Sequence, residues 1–245
     1  MWKTSVWFLT GWLALAGAAS VRADAPTEPR AVIDKAIKAL GGAEKLAKFK
    51  ADTRTDKGTY YGTGAGLPYT GKYAHVYPDK LRMDIENIFL IVVNGDQGWV
   101  AANGATDDLT KDQLAEQKDQ LYAEWVAMLV PLKDKAFTLT ALGEVKVADR
   151  PAVGVKVSRQ GRRDVRLFFD KETGLLVKRD YKVNAADMDG KEVTQEVLLS
   201  DYQETAGLKF PRKVVVNRDG KLYAEVEIVD WKPAEKLDDK LFAKP

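Results

Sequence analysis

The stretch "ETAGLKFPRKVVVNRDGKLYAEVEIVDW", residues 204–231, decides the fold. Gly207-Leu208 marks a turn leading to Phe210-Pro211, an apolar run follows, and Asp219-Gly220 marks a second turn. The chain then returns with Leu222, Val226 and Ile228 spaced as on one face of a strand. Asp-Gly between two such runs is a strong local signal for a β-hairpin. "VRLFFDKETGLLVKRDYKV", residues 165–183, repeats the plan with Val165, Leu167 and Phe169, a turn, and a return strand. Neither segment leaves room for a crossover helix, so successive strands pair antiparallel.

Working outward, most of the chain after Thr53 alternates with a period of two. Leu81, Met83 and Ile85 alternate with Arg82, Asp84 and Glu86, while "IFLIVVN", residues 88–94, is apolar on both faces, as in a strand covered on each side. "NGDQG", residues 94–98, turns the chain back into Trp99-Val100. The strands end at "RQGRR", "DKETG", "NAADMDGK" and "NRDG". Two regions depart from this period. Val32, Ile33, Ala36, Ile37 and Leu40 recur at helical spacing after Pro29 and stop at Gly41-Gly42, with a short second helix through Leu46 and Phe49. Residues 110–132 form a further helix, N-capped by Thr110, with Leu114, Leu121, Trp125, Met128, Leu129 and Leu132 as its apolar stripe. The expected class is mainly β with a few helices (α+β): a large curved antiparallel sheet of roughly ten strands, forming a half-open barrel with helices over its concave face.

The N-terminus reads as a secretory leader. Lys3 precedes an apolar run from Ser5 to Ala19, and Val21-Arg22-Ala23 suits cleavage before Asp24. Residues 1–23 are then removed, residues 24–245 form one domain, and the protein is periplasmic. The apolar run is short for a membrane span of ~20 residues, and no later run approaches that length. Removing Lys3 and Arg22 leaves 36 basic residues against 36 acidic ones. That balance argues against a nucleic-acid partner, which calls for a basic footprint. The chain has no cysteine, so neither a disulfide nor a lipid-anchoring thiol is available and the core must hold the fold.

Chemistry-bearing motifs are sparse. His75 is the one histidine, which with no cysteine leaves zinc sites and His-dependent nucleophiles without parts. It shares a strand face with Tyr69, Tyr73 and Tyr77, read either as a polar-tipped pocket lining or as a half-exposed face. "YGTGAGLPYTG", residues 61–71, lacks the helix that a dinucleotide fingerprint requires after it, and reads as a hairpin loop at the rim of a cavity. "DMDGKE", residues 187–192, lacks the full acidic spacing of a calcium loop and sits where a hairpin tip is needed. The carboxylate pairs Asp84/Glu86, Asp107/Asp108 and Asp238/Asp239 have no pocket chemistry around them. No cofactor, metal site or catalytic residue is expected, and a hydrolase is the third and weakest reading.

The phrases "AVIDKAIKALGGAEKLAKFK", "LFFDKETGLLVKRDY", "DYQETAGLKFPRKVVV" and "WKPAEKLDDKLFAKP" resemble the LolA/LolB-like superfamily of periplasmic lipoprotein carriers, over Pro29 to Pro245. The resemblance implies a half barrel with a helical lid above a cavity for acyl chains. In the carriers a buried arginine secures the lid, and Arg54 and Arg82 are the strand positions to consider. It implies a soluble, monomeric carrier for an acyl chain, lipid or lipoprotein. The alternative is a module that senses or binds an envelope protein, its cavity filled by its own side chains. Tyr73, Phe89, Ile91, Trp99, Trp125, Met128 and Leu129 are the expected contacts to a hydrophobic ligand.

Overall fold

A computed structural model describes residues 28–245; the expected leader at 1–23 and its cleavage point lie outside them. Two helices open the fold, α1 (Pro29–Ala39) and α2 (Ala43–Lys48). Six strands follow: β1 (Ala51–Tyr60), β2 (Leu67–Val76), β3 (Lys80–Ile85), β4 (Phe89–Asn94), β5 (Gln97–Ala102) and β6 (Ala105–Asp108). Helix α3 (Lys111–Ala127) and a 3₁₀ turn at Val130–Lys133 lead into seven more. These are β7 (Phe137–Val147), β8 (Arg150–Arg159), β9 (Val165–Asp170), β10 (Leu176–Ala185), β11 (Lys191–Thr205), β12 (Leu208–Arg218) and β13 (Lys221–Ala234).

All thirteen strands join one antiparallel sheet in the order β6-β5-β4-β3-β2-β1-β13-β12-β11-β10-β9-β8-β7. It is two meanders sewn together where β1 pairs with β13, Arg54 opposite Trp231. β6 and β7 remain as edges, and α3 is the connection between them, so the barrel stays open. The turns have the chemistry the sequence announces. Asp219-Gly220 take positive φ, the requirement of two-residue turns whose twist matches the strands. The earlier turn falls one residue before the expected Gly207-Leu208, at Ala206-Gly207, both also at positive φ, because Leu208 already pairs in β12. At the "DKETG" turn, Asp170 Oδ1 accepts from the backbone N–H groups of Glu172 and Thr173 and from the Thr173 hydroxyl.

The helices fill half of the concavity. Ile33, Ala36 and Ile37 of α1 and Tyr122, Ala123 and Val126 of α3 share the main core with Val155, Val157, Leu167, Phe169, Val183 and Val197 of the sheet. Gly41 ends α1 at φ 121°. A Cβ there would lie 2.3 Å from the Gly207 carbonyl, so only glycine lets the helix end dock on the β11–β12 turn. α3 starts with a full capping box, Thr110 accepting from the Gln113 N–H and Gln113 accepting from the Thr110 N–H. It ends earlier than the apolar pattern suggests, at Ala127 rather than Leu132. Pro131 cannot extend a helix, and Leu129 turns the chain at φ 66°.

The doubly apolar β4 is covered on both faces. Leu90 and Val92 pack beneath the C-terminal segment around Leu237, Leu241 and Phe242, while Ile91 and Val93 pack with Leu114 and Leu121 of α3. Among the described residues no helix is long and apolar enough to cross a membrane.

Candidate binding chamber

The other half of the concavity is hollow. A cavity of about 750 Å³ lies between the concave sheet face and the helices, within the ~300–1,000 Å³ range of small-molecule sites. Its sheet wall is apolar: Val197 and Leu199 of β11, Val214 and Val216 of β12, and Val226 and Ile228 of β13. α2 contributes Leu46, and Phe49 follows it. Leu67 and Ile88, 48% and 56% exposed, are also among the lining residues and mark the mouth.

The roof is different. α3 turns Gln113, Glu116, Gln117, Gln120 and Glu124 toward the cavity, a stripe at helical spacing that is polar until Ala127 and Met128. The helix has its apolar surface on the flank that meets the core and β4, so a polar face is what remains over the void.

Period-two alternation along β1 aims Asp52, Arg54 and Asp56 at the same space. Across the β1–β2 ladder Asp52 pairs with His75, Arg54 with Tyr73, Asp56 with Gly71 and Gly58 with Tyr69. Cross-strand partners share a face, which carries Tyr69, Tyr73 and His75 inward too. A Cβ at Gly58 would lie 2.6 Å from the Tyr69 ring, so glycine makes the space over which that ring lies. His75 is sandwiched, parallel to Tyr73 at 6.1 Å and to Tyr77 at 5.5 Å. Its Nδ1 lies 2.9 Å from Asp52 Oδ1 and its Nε2 3.8 Å from Glu124 Oε2. The Tyr77 hydroxyl is 3.3 Å from both Asp52 and Glu124, and Arg179 Nη2 donates to Glu124 Oε1 at 3.3 Å.

Burial alone would raise the Glu124 carboxyl, but the Arg54 and Arg179 guanidiniums outweigh it and hold it at about 2. For Asp56 burial prevails over the nearby Arg54 and pushes the carboxyl up. Arg54 Nε sits 3.2 Å from Asp56 Oδ2. The alignment is too poor for a hydrogen bond, and Arg54 Nε and Asp56 Oδ1 are both buried without a partner. The guanidinium stacks on the Tyr73 ring at 4.6 Å.

A second buried arginine stands at the end of β12. Arg218 donates from Nη2 to Glu116 of α3, from Nη1 to Asp187 at 2.8 Å and from Nε to Gln195 at 3.0 Å. Glu116 also accepts from the Ala186 N–H, and Asp187 from the Tyr223 hydroxyl. This clip ties α3 to the sheet beside the β10–β11 hairpin. Asp187 of the "DMDGKE" phrase is thereby used internally, at a hairpin tip where Asp189 and Gly190 take positive φ. Among the described residues no group of three or more His, Cys, Asp or Glu is placed to hold a metal ion.

The structure brings Tyr73, Phe89, Ile91 and Met128 together in the lining. Three other expected contacts sit elsewhere. Trp99 pairs with Val92, whose face lies under the C-terminal segment, and it is the neighbouring Val100, opposite Ile91, that lines the cavity. Trp125 packs against Phe137 with ring centroids 5.7 Å apart, and Leu129 is wholly buried in the main core. Arg82 points out of the concavity to the Leu241 carbonyl. The residues that sequence reasoning passed over are Asp52, Asp56, Glu116, Glu124, Arg179 and Arg218. The available signal for the first two was the alternating "DTRTD" at residues 52–56, which by itself reads as a solvated face.

At the level of sequence no protein-family model and no curated protein matches the chain. Solved structures do match in fold. A LolA superfamily protein from Nitrosomonas europaea aligns with a TM-score of 0.58 at 12% identity, covering 88% of this chain and 97% of that one. A DUF1329 family protein from Desulfovibrio piger gives 0.59 at 13%, covering 89% and 98%. An outer-membrane lipoprotein-sorting protein domain from Vibrio parahaemolyticus gives 0.55 at 9%, covering 86% and 97%. The chain therefore has the fold of the LolA superfamily, as the sequence resemblance implies.

Proposed function

We propose that this chain, with its LolA-superfamily fold, is an exported periplasmic binding or carrier protein for a hydrophobic ligand: an acyl chain, a lipid or a lipoprotein. The observation that carries the reading is the cavity of about 750 Å³ with its apolar sheet wall. An apolar space of this kind accepts hydrocarbon readily. Each buried CH₂ contributes ~0.8 kcal/mol, so a chain of about twelve methylenes yields on the order of 10 kcal/mol before association costs. The name of the Vibrio domain, lipoprotein sorting, agrees in kind. The leader at residues 1–23 would deliver the protein to where such ligands occur.

The alternative, a protein-binding or sensing module, draws on the Gln/Glu stripe of α3, which could meet the polar backbone of a peptide. Its premise of a cavity filled by its own side chains sits poorly with the open volume. Displacement of a fluorescent fatty-acyl probe separates the two. The wild type should bind the probe, and Val226→Trp, which fills the void from β13, should abolish uptake with circular dichroism unchanged. A folded wild type that takes up no acyl probe would transfer the case to the protein-binding reading.

A further inference from the structure

Arg54 is a half-buried cation with its Nε fully enclosed, enough countercharge and too few hydrogen-bond acceptors. Arg54 and Arg179 face three carboxylates, Asp52, Asp56 and Glu124, with His75 among them. Charge is therefore already compensated around the guanidinium. Hydrogen bonding is not: among the described residues no oxygen accepts from Arg54, and its one ion pair is misaligned. A buried guanidinium ordinarily engages its fork of five donors. Here the side chain keeps 18% of its surface, lines the cavity and sits over the Tyr73 ring. Arg54 is among the residues that line the chamber, so a ligand there lies within reach of its guanidinium.

Two ligand chemistries could supply the missing acceptors, and the surrounding charge discriminates between them. A free carboxylate would add a negative charge beside three existing ones. An uncharged carbonyl oxygen would satisfy the donors without doing so. We propose that Arg54 is a head-group reader that accepts the ester or amide carbonyl of an acylated molecule, with the hydrocarbon chain laid along Val214, Val226 and Ile228. The inference rests on the acyl-binding reading above and adds the class of linkage. The polar stripe of α3 fits this assignment. Gln117 offers both donors and acceptors to the alcohol or amine part of such a ligand, while the Gln120 amide already donates to Glu116 at 3.2 Å.

The test compares 1-palmitoylglycerol with 1-O-hexadecylglycerol, which differ in the carbonyl alone, by competition against a fluorescent acyl probe at pH 8. The wild type should prefer the ester by about tenfold or more, the value of a hydrogen bond to a charged donor. Palmitate should bind no more tightly than the ether. In Arg54→Met the ester should fall to the level of the ether while the ether itself is retained. The wild-type ratio decides even if that variant fails to fold. Equal binding of ester and ether would overturn the head-group assignment and leave the carrier reading standing. Palmitate binding more tightly than the ester would overturn it in favour of an anion site. Binding of none of the three would remove the carrier reading, and this inference with it.

Discussion

Arg218, buried, and Arg54, half-buried, are both arginines on strands facing α3, and they are built to opposite specifications. Arg218 has each of its three kinds of nitrogen on an acceptor, and its partners Glu116 and Asp187 take further hydrogen bonds from Ala186 and Tyr223. Arg54 has one poorly aligned carboxylate and an aromatic face. A saturated network of this kind fixes a structure, because removing any member strands the rest. A starved group in a cavity leaves donors open and gains its acceptors only when something else arrives. The first therefore reads as the clip that holds the lid helix, the second as part of what the lid covers.

The largest expected effect follows from breaking the clip. Arg218→Met leaves Glu116 charged and buried with no cationic partner, and should cost about 3–5 kcal/mol in urea denaturation. A loss below about 1 kcal/mol would show that the clip is dispensable.

The acid response is next. Glu124 has its carboxyl held at about 2 in the folded protein, well below its ordinary value of 4.5. Its contribution is complete above the ordinary value and fades as the pH falls toward 2, because the unfolded chain takes up the proton first. Asp56 has the opposite sign, since a raised carboxyl sheds its penalty as it takes up a proton. Melting temperatures between pH 4.5 and pH 2 should fall further for the wild type than for Glu124→Gln. Parallel curves would mean that Arg54 and Arg179 do not hold Glu124 as described.

The smallest effect is the sharpest contrast. Replacing both members of the starved pair, Arg54→Met with Asp56→Leu, removes a poorly satisfied pair, a change that is commonly neutral or favourable. It also removes one of the two guanidiniums that hold Glu124 low, so the loss should stay within about 2 kcal/mol and below that at the clip. The corresponding replacement at the clip, Arg218→Met with Glu116→Leu, still leaves Asp187 Oδ1, Gln195 Oε1 and the Ala186 N–H without the partners they have now. It should remain clearly destabilised. Equal losses in the two double variants would erase the distinction.

How much of this was legible in the sequence follows from which physical signals are local. The hairpin at Asp219-Gly220, the turn at Gly207 to within one residue, the cap at Thr110 and the two-sided strand 88–94 were readable because turn chemistry and periodicity act over a few residues. The division of each strand into concave and convex faces was not, because it depends on the partner strand. Trp99 and Val100 exchange roles on that parity alone. The polar face of α3 and the carboxylates of β1 carried no signal of their own, because polar residues in a regular pattern are usually solvated. Here they turn inward because the sheet curls around a space the helices do not fill.

The central claim is that this space holds an acyl chain beneath α3, and a co-crystal structure with a monoacylglycerol brominated at the end of its chain tests it most directly. The account predicts an anomalous bromine peak against the β12–β13 wall and the ester carbonyl within hydrogen-bonding reach of the Arg54 guanidinium. Bromine bound only on the outer surface, with the chamber collapsed onto its own side chains, would contradict it.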